Sequence, residues 1–358
     1  MAFLWMDGFD HYTTNDLQRI YDDKIDAVVE FQIDNSITRY NSSGSLYLPT
    51  ELNNTQAVLK HLPSYPSTFI AGFGFRWNGA SIRTANVFKT YDMTPNYASQ
   101  VGLQINGTTN TLSFYRGTSI LGTSTVFLRE DTWYFIELKC TINNTTGAYE
   151  VRVNGQNILS ATSVDTQQTA NARIATAGFV SYARSSNDSR NQYWDDFYLL
   201  DDTGDFANDF LGESRVATLF PSGNGIFSNF IGSDGNSNEN FRLVDANPHN
   251  TGTNYVESNT SGAIDTYRFE NLPSKPIVSG VYGVKTTNFT SKDEAGTKSF
   301  RNVVRVSGEN YFGSGDFNYP SFDSYDVFYD NWSFNPANTG IWDEQTINSI
   351  QAGFEVEQ

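Results

Sequence analysis

The sequence predicts an all-β protein: a β-sandwich in its first part and a second β-rich domain behind it. Aromatic residues form 15% of the chain, with 27 Phe and 20 Tyr, and such side chains suit the pleated, half-buried surface of a sheet. Apolar and polar residues alternate with period two in many short segments, which is the pattern of strands with one buried face. Turn formers separate these segments at the close spacing of sandwiches, whereas βαβ units would need intervening helices.

The strand segments can be taken in order. "TFIAGFGFRW" at 68–77, "YASQVGLQI" at 97–105, "TLSFYRG" at 111–117, "WYFIELKCTI" at 133–142 and "AYEVRVNGQNIL" at 148–159 each alternate. In the last, Asn154-Gly155 predicts a tight hairpin, because both central positions of a type I′ turn need φ > 0. One short helix is expected within "TNDLQRIYDDKI" at 14–25, opened by a Thr or Asn cap. Alternation returns late in "TYRFENL", "IVSGVYGVKTT", "FRNVVRVSG" and "YDVFYDNWSF".

At 358 residues the chain exceeds the roughly 100–200 typical of one domain. Turn formers in "DDTGDFANDF" place a boundary near 205, giving domains at 1–205 and 206–358. Residues 221–262 are dense in Gly, Asn and Ser, with Phe227, Phe230 and Phe241 as isolated apolar anchors. Order there is expected to depend on contacts, and the second domain is expected to carry an assembly interface.

A net charge of −17 and a pI near 4.5 argue against nucleic acid, whose backbone is bound through Lys and Arg. "MAFLWMDGFDHY" has no basic leader, and no segment approaches the roughly 20 apolar residues that span a bilayer, so a product of the cytoplasm without membrane insertion is expected. Cys140, the single cysteine, reads as a small buried hydrophobe.

Linear chemical motifs are missing. His11, His61 and His249 are far apart and form no HExxH, and there is no GxSxG elbow or GxxxxGK loop. No Glu is followed two positions later by Asp, so the ExDxxE strand of laminarinase-like enzymes is absent. A glycosidase assembled from carboxylates on different strands stays open, because such pairs leave no linear spacing. Asp195, Asp196, Asp201, Asp202, Asp205 and Asp209 cluster at the seam. Asp201, Asp202 and Asp205 are candidate calcium ligands, but without the DxDxDG order a structural turn is the preferred reading and no cofactor is expected.

"DTWYFIELKCTINNTTGAYEVRVNGQNIL" followed by "YWDDFYLLDDTG" resembles the laminin-G/concanavalin-like jelly-roll module of bacteriophage virion proteins. "MDGFDHY", "NDFLGESRVATLFPSGNG" and "NPANTGIWDEQTINSIQAGFE" extend the resemblance over nearly the whole chain. It implies a non-enzymatic virion component made in the host cytoplasm. Such a protein would dock on other virion proteins in a tail, fibre or capsid-decorating role, as a homo-oligomer or in many copies. The alternative is a carbohydrate- or receptor-binding tail adhesin. Trp77, Tyr319, Phe322 and Tyr325 are its candidate rings for a host-surface carbohydrate, because aromatic faces suit sugar C–H surfaces.

Overall fold

The computed structural model describes residues 3–25, 31–49, 56–79, 84–93, 97–181, 190–249, 252–274, 278–293, 298–313, 317–318 and 325–357. The chain divides into two compact units, 1–216 and 217–358. Both are built on antiparallel sheets.

The strands of the first unit are β1 (Phe3–Asp7), β2 (Asp23–Ile25), β3 (Gln32–Asp34), β4 (Ser45–Leu48), β5 (Gln56–His61), β6 (Thr68–Asn78), β7 (Ala85–Asp92) and β8 (Ala98–Ile105). They continue as β9 (Thr111–Arg116), β10 (Ser119–Phe127), β11 (Tyr134–Thr141), β12 (Gly147–Val153), β13 (Gln156–Val164), β14 (Thr176–Ser181) and β15 (Asn191–Asp201). One sheet has the order β13-β12-β11-β6-β15-β4-β3, with β1 also on β15, and the second has the order β10-β9-β8-β7-β14-β5-β2. Two antiparallel sheets face to face make the expected sandwich.

Alternation in "TFIAGFGFRWN" explains the core. Phe69, Ala71, Phe73, Phe75 and Trp77 are fully buried, and Phe73 lies 5.6 Å from both Phe88 of β7 and Phe179 of β14 in the opposite sheet. The intervening Gly72 and Gly74 lie on the outer face of β6. A Cβ on Gly72 would sit 2.2 Å from the Tyr198 ring, and one on Gly74 2.9 Å from the Arg39 side chain, so the missing side chains make room for both. Asn154 and Gly155 take φ of 49° and 76° between β12 and β13, the hairpin turn that the dipeptide predicts. Cys140 is buried in β11, and burial pushes its thiol well above the usual range.

The expected short helix forms as a 3-10 turn at Thr14–Asp16 followed by Leu17–Ile20, and beyond it the Asp22 N–H donates to Leu59 O and draws the chain into the second sheet as β2. Regular alternation fails in β15. The register breaks between Asp195 and Tyr198, and Asp196 has φ 52°, so Trp194 and Phe197 both meet Phe179 although three positions apart.

The domain boundary also moves, from 205 to 216. Ala207, Phe210, Leu211 and Val216 pack on Phe3, Met6, Ile70, Phe135, Tyr198 and Leu200, the outer apolar face of the first sheet. Arg39 fastens this strap, donating to Asp196 at 2.6 Å, Glu213 at 2.6 Å and Ser214 O at 2.8 Å. A chain ending at Val216 is therefore expected to unfold in one cooperative urea transition. One ending at residue 203 leaves that apolar face uncovered, and its transition should come at lower urea with exposed hydrophobic surface reported by dye binding. Equal midpoints would contradict this role for the strap.

In the second unit, Pro221–Ser228, Ile264–Phe269, Gln351–Val356, Ser299–Val306 and Glu309–Phe312 form a sheet in that order, with Phe317–Asn318 also on Ser299–Val306. Val284–Ser291 and Tyr325–Trp332 form a separate ribbon. Trp342, Val304, Val306, Ile347, Ile350 and Ala352 make its main cluster. The Gly- and Asn-rich stretch is ordered from within the unit. Pro221–Ser228 joins the sheet, Phe230 is buried, and Asn240 Nδ2 donates to Phe230 O at 3.0 Å and to Asp265 at 2.7 Å.

Candidate functional site

Strand pairing brings a set of polar side chains together on the outer face of the second sheet. Thr176 of β14 pairs with His61 of β5 on one side and with Tyr91 of β7 on the other, and Tyr91 pairs with Ser99 of β8. Directly opposed residues project from one face of a sheet. This face is opposite the core, because the alternate residues Val58, Ala177 and Phe179 are buried in the sandwich. His61, Thr176, Tyr91 and Ser99 thus form one row across four strands.

His61 sits at the open end of that row. Its Nε2 lies 2.5 Å from Asp23 Oδ2, on the neighbouring edge strand β2, and 3.1 Å from the Tyr97 hydroxyl. Tyr97 OH donates to the same Asp23 Oδ2 at 2.5 Å. Tyr97 stands one residue before β8 with φ 53°, a backbone region that an aromatic residue seldom occupies and that points its ring at His61 and Tyr91, with centroids 6.1 and 6.4 Å away. The Lys89 ammonium lies 5.0 Å from the Tyr91 ring on the same face.

The cluster is open to solvent: the side chains of His61 and Asp23 are 34% and 29% exposed, and Tyr97 is 36% exposed. Desolvation and the neighbouring Asp23 carboxylate push the Tyr97 phenol up to about 12, so it holds its proton at neutral pH. An acceptor-only carboxylate facing Nε2 assigns the imidazole proton to that nitrogen in the neutral ring and leaves Nδ1 basic. The arrangement therefore offers a proton acceptor at His61 Nδ1 and a proton donor at the Tyr97 hydroxyl, which lies 3.1 Å from the other ring nitrogen, Nε2. Between them and the core, the hydroxyls of Thr176 and Ser99 are buried and have no hydrogen-bond partner among the described residues.

The residues singled out from sequence fall elsewhere. Trp77 is fully buried and stacks on Phe75 at 5.7 Å, so its assignment to carbohydrate is corrected: a ring without an exposed face has nothing to offer a sugar. Tyr325 is half-buried in the second unit, 5.2 Å from His249 and 6.2 Å from Phe289, while Tyr319 and Phe322 lie outside the described residues. Asp201 is buried and accepts from the backbone N–H and hydroxyl of Thr203, which closes a turn; Asp202 and Asp205 are exposed. Asp209 pairs with Lys139, and Asp195 and Asp196 belong to the network around Arg39. Among the described residues, no three His, Cys, Asp or Glu side chains gather as a metal site.

No protein-family model and no curated protein sequence matches the chain. Solved structures do resemble it. The endo-β-1,4-glucuronan lyase of the fungus Trichoderma reesei aligns with a TM-score of 0.42 and 11% identity, over 53% of this chain and 93% of that one. Alginate lyase Aly36B aligns at 0.33 and 15%, over 44% and 81%. Trypanosoma rangeli sialidase aligns at 0.32 and 14%, over 48% of this chain and 27% of its own. Values this low speak to the β-sandwich fold alone. The expectation of a non-enzymatic virion component finds no support among them: these three are carbohydrate-active enzymes and none is a bacteriophage particle protein. The expectation that the chain is not an enzyme is likewise without support from them.

Proposed function

We propose that this protein binds a polysaccharide at the open end of the second sheet and cleaves it by acid–base chemistry. The single observation that carries the proposal is Asp23 accepting from both His61 and Tyr97 at an exposed sheet margin. The half-exposed rings of Tyr91 and Tyr97 offer faces for sugar C–H groups beside it.

The donor set favours elimination over hydrolysis. Hydrolysis uses two carboxylates, one on each side of the bond, roughly 5–10 Å apart. Here Asp23 is engaged by two donors, and the adjacent Asp22 accepts from the His61 N–H and pairs with Lys60. The available acid and base are a phenol and an imidazole. Such a pair suits a uronate, whose C5 proton is made acidic by the attached carboxylate. His61 Nδ1 takes that proton, the C4–O bond breaks, a C4=C5 double bond forms, and Tyr97 protonates the departing oxygen. Proton uptake by Tyr97 from water and proton loss from His61 then restore the site.

Incubation of the full chain with polyuronates and with neutral glycans tests this. New reducing ends together with the ultraviolet absorbance of an unsaturated uronate, from polyuronates alone, are the expected result. Reducing ends without that absorbance would contradict elimination. No new ends from any glycan would contradict cleavage.

A further inference from the structure

The cluster at His61 continues inward through a chain of contacts that ends in the sandwich core. The Lys60 side chain points to the opposite face of β5 from His61 and is buried, with its ammonium 4.4 Å from the centre of the Trp5 ring. That ammonium donates to Ile20 O at 2.8 Å and lies 3.1 Å from Asp22 Oδ2. The same Asp22 oxygen accepts the backbone N–H of His61 at 2.7 Å. Asp22 N–H in turn donates to Leu59 O at 3.1 Å, and the next residue, Asp23, pairs with Leu59 as β2 begins.

We infer that Lys60 and Asp22 are positioning residues that set the Asp23 carboxylate against His61 Nε2. Among the described residues β2 pairs only with β5, over Asp23, Lys24 and Ile25, and a three-residue edge strand has few ladder bonds to fix its register. A one-residue slip would turn Asp23 to the other face of the sheet. Asp22 opposes that slip by gripping the His61 backbone on one side and a buried cation on the other. The cation is expensive to bury, and a pair that loses one partner leaves an uncompensated charge in the core. With β2 held in register, Asp23 Oδ2 stays 2.5 Å from His61 Nε2.

The inference rests on the proposed acid–base site, but its test does not need a substrate. Long-range proton–nitrogen NMR of the His61 ring reports which nitrogen is protonated in the neutral form. In the full chain the Nε2–H tautomer is expected to dominate. Lys60→Met keeps the stem over Trp5 and removes the charge; Asp22→Asn keeps an acceptor for the His61 N–H and removes the ion pair. Both should turn the His61 signal into a mixture of tautomers, while Lys60→Arg retains the native one. If cleavage is observed, Lys60→Met should lower kcat at least tenfold with KM little changed.

A single Nε2–H tautomer in both charge-removing variants, with the sheet intact by circular dichroism, would overturn the inference. If Lys60→Met does not fold, Asp22→Asn decides alone. Loss of tautomer order in a protein that cleaves no glycan would sustain the positioning role and refute the proposed reaction, so the two fail separately.

Discussion

His61→Gln and Tyr97→Phe are each expected to lower polyuronate cleavage by roughly 10²–10⁴-fold, the usual contribution of a positioned proton donor or acceptor. Both residues are at least one-third exposed, so the substitutions should leave the melting temperature near that of the parent. His61→Gln removes the proton acceptor itself, so its residual rate should be low throughout. Tyr97→Phe removes a donor whose phenol titrates only near 12, so the profile between pH 5 and 9 should keep its shape at reduced height. Initial rates from unsaturated-product absorbance across this range check both. A Tyr97→Phe variant with parental rate would remove Tyr97 from the reaction.

A loss of stability between about pH 4 and 7 is the second large effect expected. Asp10 is buried beside Gly8 and the strap end at Val216, accepting from the N–H groups of Ser43 and Gly44 at 2.7 and 3.0 Å. Desolvation raises its carboxyl from 3.8 to about 7 against the two backbone donors, with nearby Asp196 adding repulsion. Folding therefore takes up a proton in that window. The stability this group contributes is fully present below 3.8 and is lost as the pH rises to about 7, a change of about 4 kcal/mol if the whole shift is expressed. Asp195 and Asp196, raised first by burial, act in the same direction, while Arg39 holds Asp196 down. Asp165, Asp209 and Asp343 have lowered values and lose stability only at acid pH, below the window. Urea midpoints of residues 1–216 at several pH values should fall from pH 5 to 8, and Asp10→Asn should flatten most of the slope. A midpoint that rises over this range would contradict the assignment.

Much of the fold is legible locally, because a strand with one buried face must alternate and a left-handed turn must carry residues that tolerate φ > 0. "TFIAGFGFRW", "AYEVRVNGQNIL" and Asn154-Gly155 obey these rules in sequence and in structure. The Asp195–Asp196 bulge escaped, since two acidic residues in a strand look the same whether they alternate or bulge. The strap escaped because its Gly and Asp residues read as a linker, while Phe210 and Leu211 gain their role only against a face built from β1, β6, β11 and β15.

The site lay wholly beyond local pattern. Asp23, His61, Tyr97 and Thr176 are spread over more than 150 residues, on an edge strand, a strand end, a turn and a later strand. Each alone is unremarkable in sequence, and His61 had counted only as one of three scattered histidines. Alternation settles which side of its own strand a residue occupies, since that depends on neighbours two positions away. Which strand lies beside which is settled by burial and hydrogen bonding summed over the whole sandwich. The order β8-β7-β14-β5-β2, which sets Asp23 against His61 and Tyr97, exists only once both sheets have formed.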